Sequence, residues 1–265
     1  GEDQDRGFHP RLAHLAQHFR RLGWRVAAYT TRRPGIVEDF DANPGVAALM
    51  EEVEIVRSSP GPVFALARRA MAARGVKVAG ATSRTRSWNS PFRNWMTRRL
   101  LEPSLEWTLT GLPGLLTFLE RFRPTVVLSS SHPYCSQLLC RAAASLGQEF
   151  RWVGDFGDPL IGGGGLEPEP AWSEFWSRLE EGILGRMDHL AVTTKRTRDL
   201  VLRQYPSLVP EKVSVIRNGF DPGQFAFEVP RGEPFTLTYT GSLYYPRVGI
   251  DPFVEALLTL RTRNP

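Results

Sequence analysis

"DHLAVTTKRTRDLVLRQYPSLVPEKVSVIRN", residues 188–218, sets two apolar runs on either side of a charged stretch with helical spacing. "DHLAVTT" reads as a strand and "KRTRDLVLRQY" as a helix, with Thr194 placed to cap its first turn. "KVSVIRN" then reads as a second strand. Behind it come Asn218-Gly219 and Asp221, residues that accept positive φ or hydrogen-bond their neighbours' backbone. An Asn-Gly pair would also suit a tight hairpin, so the rest of the chain has to arbitrate.

The same alternation recurs upstream. "PRLAHLAQHFRRL" (10–22) places Leu12, Leu15, Phe19 and Leu22 on one helical stripe that Gly23 ends, and "WRVAAYTT" (24–31) follows as a strand. "EVEIVRS" (52–58) is a second, weaker strand. The stretch 62–112 is the least legible, helical in pieces with Pro91 and Pro103 as interruptions. After it, "LLTFLERF" reads as helix, "TVVLSSS" (125–131) as a buried strand and about 134–146 as a helix. "FRWVGDF" (150–156) is another strand, and "WSEFWSRLEEGILGRM" (172–187) an amphipathic helix. Strands alternating with helices are the signature of βαβ units around a parallel sheet, which decides against the hairpin.

Downstream, "EVPRGEP" (228–234) reads as a linker between a first domain, 1–227, and a second unit, 235–265. That unit opens with the strand "FTLTYTG" (235–241) and a helix starting at Asp251-Pro252. One strand and one helix bury too little for a core, and the first helix has no strand ahead of it. The pattern predicts a first domain lacking its leading strand, followed by the opening of a truncated second domain.

The 265 residues are enough for one large or two ordinary domains, and 42% hydrophobic with 23% charged residues is the balance of a soluble globular protein. Basic residues exceed acidic ones, 33 against 28. Only Lys77, Lys195 and Lys212 are lysines, and so uniform an arginine bias looks like coding composition rather than a selected patch. Cys135 and Cys140 fit neither a redox pair nor a zinc knuckle; they read as small apolar residues of one helix, consistent with a reducing, cytoplasmic setting. No run of eighteen apolar residues exists, so no membrane-spanning helix is expected.

Several stretches, in order, resemble family-4 glycosyltransferases of the GT-B type. "HPRLAHLAQHFRRLGWRVAAYTT" is similar to that family's first helix and second strand. "TVVLSSSHPYCSQ" followed by "RWVGDFGDPL" is similar to its strand-loop-helix and "DFRDPW"-like segments. "DHLAVTTKRTRDLVLRQYP" with "VSVIRNGFDPGQF" looks like the run-up to the interdomain crossover. "LTYTGSLYYPRVGIDPFVEAL" resembles the first βα unit of the donor domain. The likeness covers residues 8–265 apart from 32–110. It implies two Rossmann-like domains, the first on the acceptor side and the second holding a nucleotide-sugar. The implied reaction is transfer of a sugar with retention of configuration and no metal or other cofactor beyond the nucleotide-sugar substrate. Acceptors would be saccharide or lipid-linked, at the cytoplasmic face of the membrane, in cell-surface polysaccharide synthesis. The family's paired donor-domain glutamates do not occur in this stretch, so the fragment alone is expected to be inactive.

A diphosphate leaving group gathers negative charge, and backbone N–H groups at a strand-to-helix turn with a nearby cation would stabilise it. Gly241 and Ser242 end a strand and Arg247 follows in the loop, where the family places a glycine and cations. Ser242 stands where a basic residue is common and Arg247 where a lysine is usual, so the site rests on Arg247, unless that is a solvated loop arginine. Asn218 of the crossover turn presents polar groups to the same cleft, or serves only as a turn former.

His132 follows "TVVLSSS" at a strand's carboxyl end, where ligands of open α/β sheets bind, and its imidazole could hydrogen-bond a sugar hydroxyl or a reacting oxygen as the catalytic group. The bland alternative is a loop histidine at a helix start. Asp155 and Asp158, at another strand end, read as acid/base or sugar-binding carboxylates of the acceptor pocket, or as turn formers. Gly7 lies just past the expected first loop on the same side. Gly162–Gly165 lacks the lysine of a phosphate loop and fits a cleft lid or a linker. His14 and His18 share a helical face without a third ligand and read as solvated surface.

Residues 84–99, "RTRSWNSPFRNWMTRR", mix arginines with aromatics and could lie in a membrane interface, or be a helix covering the domain. No nucleic-acid motif accompanies them. Two other readings stay open: a nucleotide-sugar epimerase of GT-B architecture, and a non-catalytic α/β binding module.

Overall fold

The computed structural model describes residues 10–31, 50, 52–59, 61–62, 106–131, 134–157, 170–220, 237–238 and 251–263. Its elements run in order α1 (Pro10–Arg21), β1 (Ala27–Thr31), β2 (Glu54–Ser58), α2 (Glu106–Phe122), β3 (Val126–Ser130) and α3 (Cys135–Ser145). Then come β4 (Arg151–Phe156), α4 (Pro170–Leu184), β5 (His189–Val192), α5 (Lys195–Gln204), a 3-10 turn (Pro210–Lys212), β6 (Val213–Val215) and α6 (Asp251–Arg263). The contacts divide the chain into two units, 1–219 and 220–265. In the second, α6 is exposed along its whole described length.

Among the described residues of the first unit, all strand pairings are parallel. β3, β4, β5 and β6 form one sheet in that order, and β1 pairs with β2 in another. Parallel neighbours cannot be joined by a two-residue turn, and from β3 to β6 each passage carries a helix, α3, α4 or α5. The Asn218-Gly219 pair accordingly follows a strand that lies parallel to β5, not one arm of a hairpin.

Alternation along the strands sorts the helices onto faces. Val26 and Ala28 of the β1 segment, with Ile55, pack against Ala13 and Ala16 of α1, together with Met50 and Val53. Ala27, Tyr29 and Val56 turn the other way, to Trp107, Leu115, Phe118 and Leu119 of α2. The same cluster takes in Cys135, Leu139 and Ala143 of α3 with Val127 and Phe150, so α2 packs on side chains from both sheets. The largest cluster joins Trp152 and Phe156 to Ile183, Leu184, Met187, Val192, Val201 and Tyr205.

Helix ends follow the local chemistry. Thr194 is extended, and its Oγ1 accepts the Thr197 N–H at 3.0 Å, as its position before a charged helix predicts. Gly23 has φ 83°, and the Trp24 N–H returns to the Phe19 carbonyl at 3.0 Å, which closes α1. Leu22 therefore sits in the turn, 61% exposed, and does not extend the buried stripe, which Ala13 and Ala16 carry instead. α2 begins nine residues before "LLTFLERF", at Glu106, and runs through Pro113. The proline lies on the exposed side, where its missing N–H leaves a carbonyl open to water. Tyr29 takes the inner side of that turn, its hydroxyl donating to the Gly111 carbonyl at 2.6 Å. A Cβ on Gly114 would stand 2.6 Å from the same hydroxyl, so glycine is what lets the ring approach.

Cys135 and Cys140 are free and buried, the first in the α2 cluster and the second in the β4 cluster. Burial pushes the Cys140 thiol up from 9.0 to about 12, with a hydrogen bond to Ser129 working against it. Burial, then the Glu180 charge, raises Tyr205 and Tyr134 as well. These groups keep their protons to higher pH when folded than when unfolded. Their contribution is complete below the unfolded values and is lost as pH rises through the folded ones. Stability is therefore expected to fall from pH 9.0 towards about 12, read as a declining urea midpoint. Neither cysteine should react with a thiol reagent at about pH 8 until the chain unfolds.

Candidate functional site

The carboxyl ends of β3, β4, β5 and β6 are laced to one another by polar contacts. Ser131 N–H donates to the Asp155 carbonyl at 2.8 Å, and Ser131 Oγ accepts the Gly157 N–H at 3.2 Å. Thr193 Oγ1 donates to the Gly157 carbonyl at 3.0 Å, and Ile216 N–H to the Val192 carbonyl at 2.8 Å. The rim's backbone is thus held from strand to strand beyond the last ladder bond. α3 and α5 also begin along it.

Below this rim the strands carry a buried polar support. Ser129 Oγ donates to Gln137 Oε1 at 2.5 Å and accepts from Trp152 Nε1 at 2.6 Å, while Gln137 Nε2 donates to the Ser129 carbonyl at 3.2 Å. Gln137 is fully buried, so these bonds satisfy an amide that would otherwise be costly to enclose. On α4, Glu180 is also fully buried, and Tyr205 donates its hydroxyl to Glu180 Oε2.

Asp155 is the fifth residue of β4. Trp152, Gly154 and Phe156 share one face of that strand, and Gly154 is close enough to Met187 that a Cβ there would meet its Sδ at 2.5 Å. Asp155 lies on the alternate face, where α1 brings Arg11. Arg11 Nη2 donates to Oδ1 at 2.8 Å and Nε to Oδ2 at 3.0 Å, a two-armed pair with both side chains largely buried, 12% and 4% exposed. The guanidinium does not stop there. Its Nη1 donates to the Arg217 carbonyl at 3.0 Å and to Asn218 Oδ1 at 3.2 Å. One side chain from α1 therefore joins the end of β4 to the segment after β6.

The geometry narrows what each group can do. With both oxygens bound to a guanidinium, Asp155 is a held acceptor, suited to fixing hydroxyl or N–H donors. Asn218 has its carbonyl oxygen engaged by Arg11, which leaves its NH2 as the group for an anionic or oxygen-rich ligand. Of the residues singled out in the sequence, the structure brings together Asp155 and Asn218. Gly7, His132, Asp158, Gly241, Ser242 and Arg247 lie outside the described residues, as do 84–99, the Gly162–Gly165 run and the 228–234 linker. His14 and His18 are exposed.

Arg11 is the residue that the sequence did not single out. A weak signal was present: α1 has no acidic residue in its first turn, where a cation opposes the helix dipole, so an anion from elsewhere in the chain is favoured there. The helix itself supplies none. Its partner lies 144 residues away.

Among the described residues, no group of three or more His, Cys, Asp or Glu side chains is placed to hold a metal, and no helix is long and apolar enough to cross a membrane. A hollow of about 370 Å³ lined by Leu119, Glu120, Arg123, Gln148 and Phe150 lies at the opposite, amino end of β3 and β4.

What these observations define is an open parallel α/β unit with its polar constellation at the carboxyl edge, where such sheets take their ligands. The pattern that describes glycosyl transferase 4-like domains matches residues 6–219, and the chain belongs to that family. No curated protein matches it. The match ends at Gly219, where the contacts also divide the chain. Its class of activity is glycosyl transfer, from a sugar donor to an acceptor.

Proposed function

We propose that this chain is the acceptor-side part of a retaining glycosyltransferase that moves a sugar from a nucleotide-sugar to a saccharide or lipid-linked acceptor. Cell-surface polysaccharide synthesis at the cytoplasmic face of the membrane is the setting we assign it. The observation that carries this reading is the Arg11–Asp155–Asn218 constellation at the carboxyl rim of a sheet within the matched family segment.

On this reading Asp155 accepts an acceptor hydroxyl with the lone pairs that Arg11 leaves open, and Asp158 and Gly7 line the same pocket. The imidazole of His132, one loop away, meets the sugar or the attacking oxygen. Breaking the bond between the anomeric carbon and the phosphate oxygen leaves the electron pair on the nucleoside diphosphate, while the acceptor oxygen forms the new bond on the same face and its proton passes to the departing phosphate oxygen. The N–H groups of Gly241 and Ser242, the Arg247 guanidinium and the Asn218 amide stabilise that diphosphate. The two phosphates are then compensated by fixed donors, with the nucleotide-sugar as substrate and no separate cofactor. The 84–99 segment supplies peripheral contact with the membrane surface.

The test is a panel of nucleotide-sugars offered to the full-length protein with lipid-linked and saccharide acceptors, read by mass spectrometry. One donor is expected to give an acceptor heavier by one sugar. Free sugar alone, or interconversion of the nucleotide-sugar, would replace this reading. Arg247→Ala in the same protein is expected to weaken donor binding by about tenfold to a hundredfold, the worth of a charge-assisted bond. Unchanged affinity by calorimetry would remove Arg247 from the site. His132→Ala is expected to lower turnover by about a hundredfold with the fold intact, and wild-type kinetics would reject that role.

A further inference from the structure

The contacts of Arg11 reach past the acceptor pocket to the point where the first unit ends. Nη1 donates to the Arg217 carbonyl and to Asn218 Oδ1, and the unit closes at Gly219. Ladder bonds cannot hold this segment, because β6 stops at Val215 and the last rung runs from the Ile216 N–H to Val192. Arg217 and Asn218 are exposed on the surface. Among the described residues, their attachment to the core is one guanidinium, and that guanidinium is itself fixed by a largely buried carboxylate.

We propose that Arg11 is a positioning residue that anchors the chain's exit from the first unit and, through it, sets the productive geometry of transfer. Asp155 holds Nε and Nη2, so the plane of the guanidinium is fixed, and the third nitrogen is delivered to the exit. A planar fork is needed for this. A lysine ammonium is a single point charge that can pair with Asp155 but cannot also span to Arg217 and Asn218. The functional half of the proposal rests on the transferase reading, in which donor-binding residues lie beyond the exit. A loosened exit then lets reacting groups spend less time in attacking distance, which lowers kcat by more than it raises donor KM through Asn218.

The Arg217–Asn218 bond is itself a trypsin site, and its scissile carbonyl is the one that Arg11 holds. Trypsin needs a locally opened segment, so its cutting rate reads the anchor directly. Full-length wild type, Arg11→Lys and Asn218→Ala are digested briefly, and cleavage after Arg217 is compared with cleavage after Arg203 in α5 as an internal control. Melting temperature is recorded for each. Arg11→Lys is expected to speed cleavage after Arg217 by about tenfold, with Asn218→Ala between it and wild type and the Arg203 rate unchanged. Equal rates after Arg217, or a rise in step with the Arg203 site, would overturn the anchor. In transfer assays Arg11→Lys is expected to lower kcat by about tenfold, with a smaller rise in donor KM. Wild-type kcat despite faster cleavage would overturn the positioning role. Absence of transfer by the wild type with every donor would instead sink the transferase reading, with the protease comparison still deciding the anchor.

Discussion

Trp152→Ala is expected to lower the unfolding free energy of the first unit by about 3–5 kcal/mol, the range for removing a large aromatic from a packed core. Trp152 is 2% exposed, and its ring lies in the cluster that α4 and α5 form against β4 and β5. Two effects add. The lost ring leaves a cavity in a cluster that includes Ile183 of α4 and Leu190 of β5, which are held by their own helix and strand and cannot collapse fully. The lost Nε1–H also removes a donor from Ser129 Oγ, although Gln137 keeps that hydroxyl bonded. Trp152→Phe isolates the second effect, since it keeps most of the volume, and should cost about 1–2 kcal/mol. Urea unfolding followed by circular dichroism separates them. Similar losses for both variants would mean that the polar support, not packing, dominates at this position.

A second large effect is expected from Arg11→Met. The substitution keeps a shorter, unbranched apolar stem and leaves Asp155 as a largely buried carboxylate without its cation, which should cost about 3–5 kcal/mol. The double variant Arg11→Met with Asp155→Leu should recover most of that loss, because no uncompensated charge remains. A double-mutant cycle therefore predicts strong coupling, well above the few tenths of a kcal/mol seen between independent sites. Additive losses would show that the two side chains do not act as a pair. The cycle also separates stability from role: the double variant is expected to fold and still fail in transfer, because neither the held acceptor nor the exit anchor is present.

Most of the fold was legible because it rests on short-range signals. The apolar runs at 125–131, 150–156 and 188–194 became β3, β4 and β5 within a residue or two at each end, and Thr194 caps α5 as its neighbours require. The errors came where a tertiary contact overrides the local signal. α2 starts nine residues before "LLTFLERF", within the least legible stretch, yet the turn before Pro113 is held from within by Tyr29. Leu22 was assigned to a buried face that the Gly23 turn carries away from the core. "KVSVIRN" read as a seven-residue strand, but only Val213–Val215 pair as one, and the remainder is fixed by Arg11.

The candidate site divides in the same way. A strand-end position was enough to single out Asp155, and a turn-forming dipeptide to single out Asn218. Neither says that both bind the same guanidinium, because that residue lies on the first helix, more than a hundred positions away. An alternating pattern reports which face a side chain takes. It does not report which distant helix lies over that face. Of the two carboxylates in "DFGD", Asp155 pairs with Arg11, and Asp158 lies outside the described residues.

Hydrogen exchange of the full-length protein, with and without the nucleotide-sugar and acceptor that support transfer, tests most directly whether the carboxyl rim is the working surface. The account predicts slowed exchange in peptides covering 129–137, 154–158 and 216–219, at the ends of β3, β4 and β6. Protection confined to 119–124 and 148–150, around the hollow at the amino ends of β3 and β4, would contradict it.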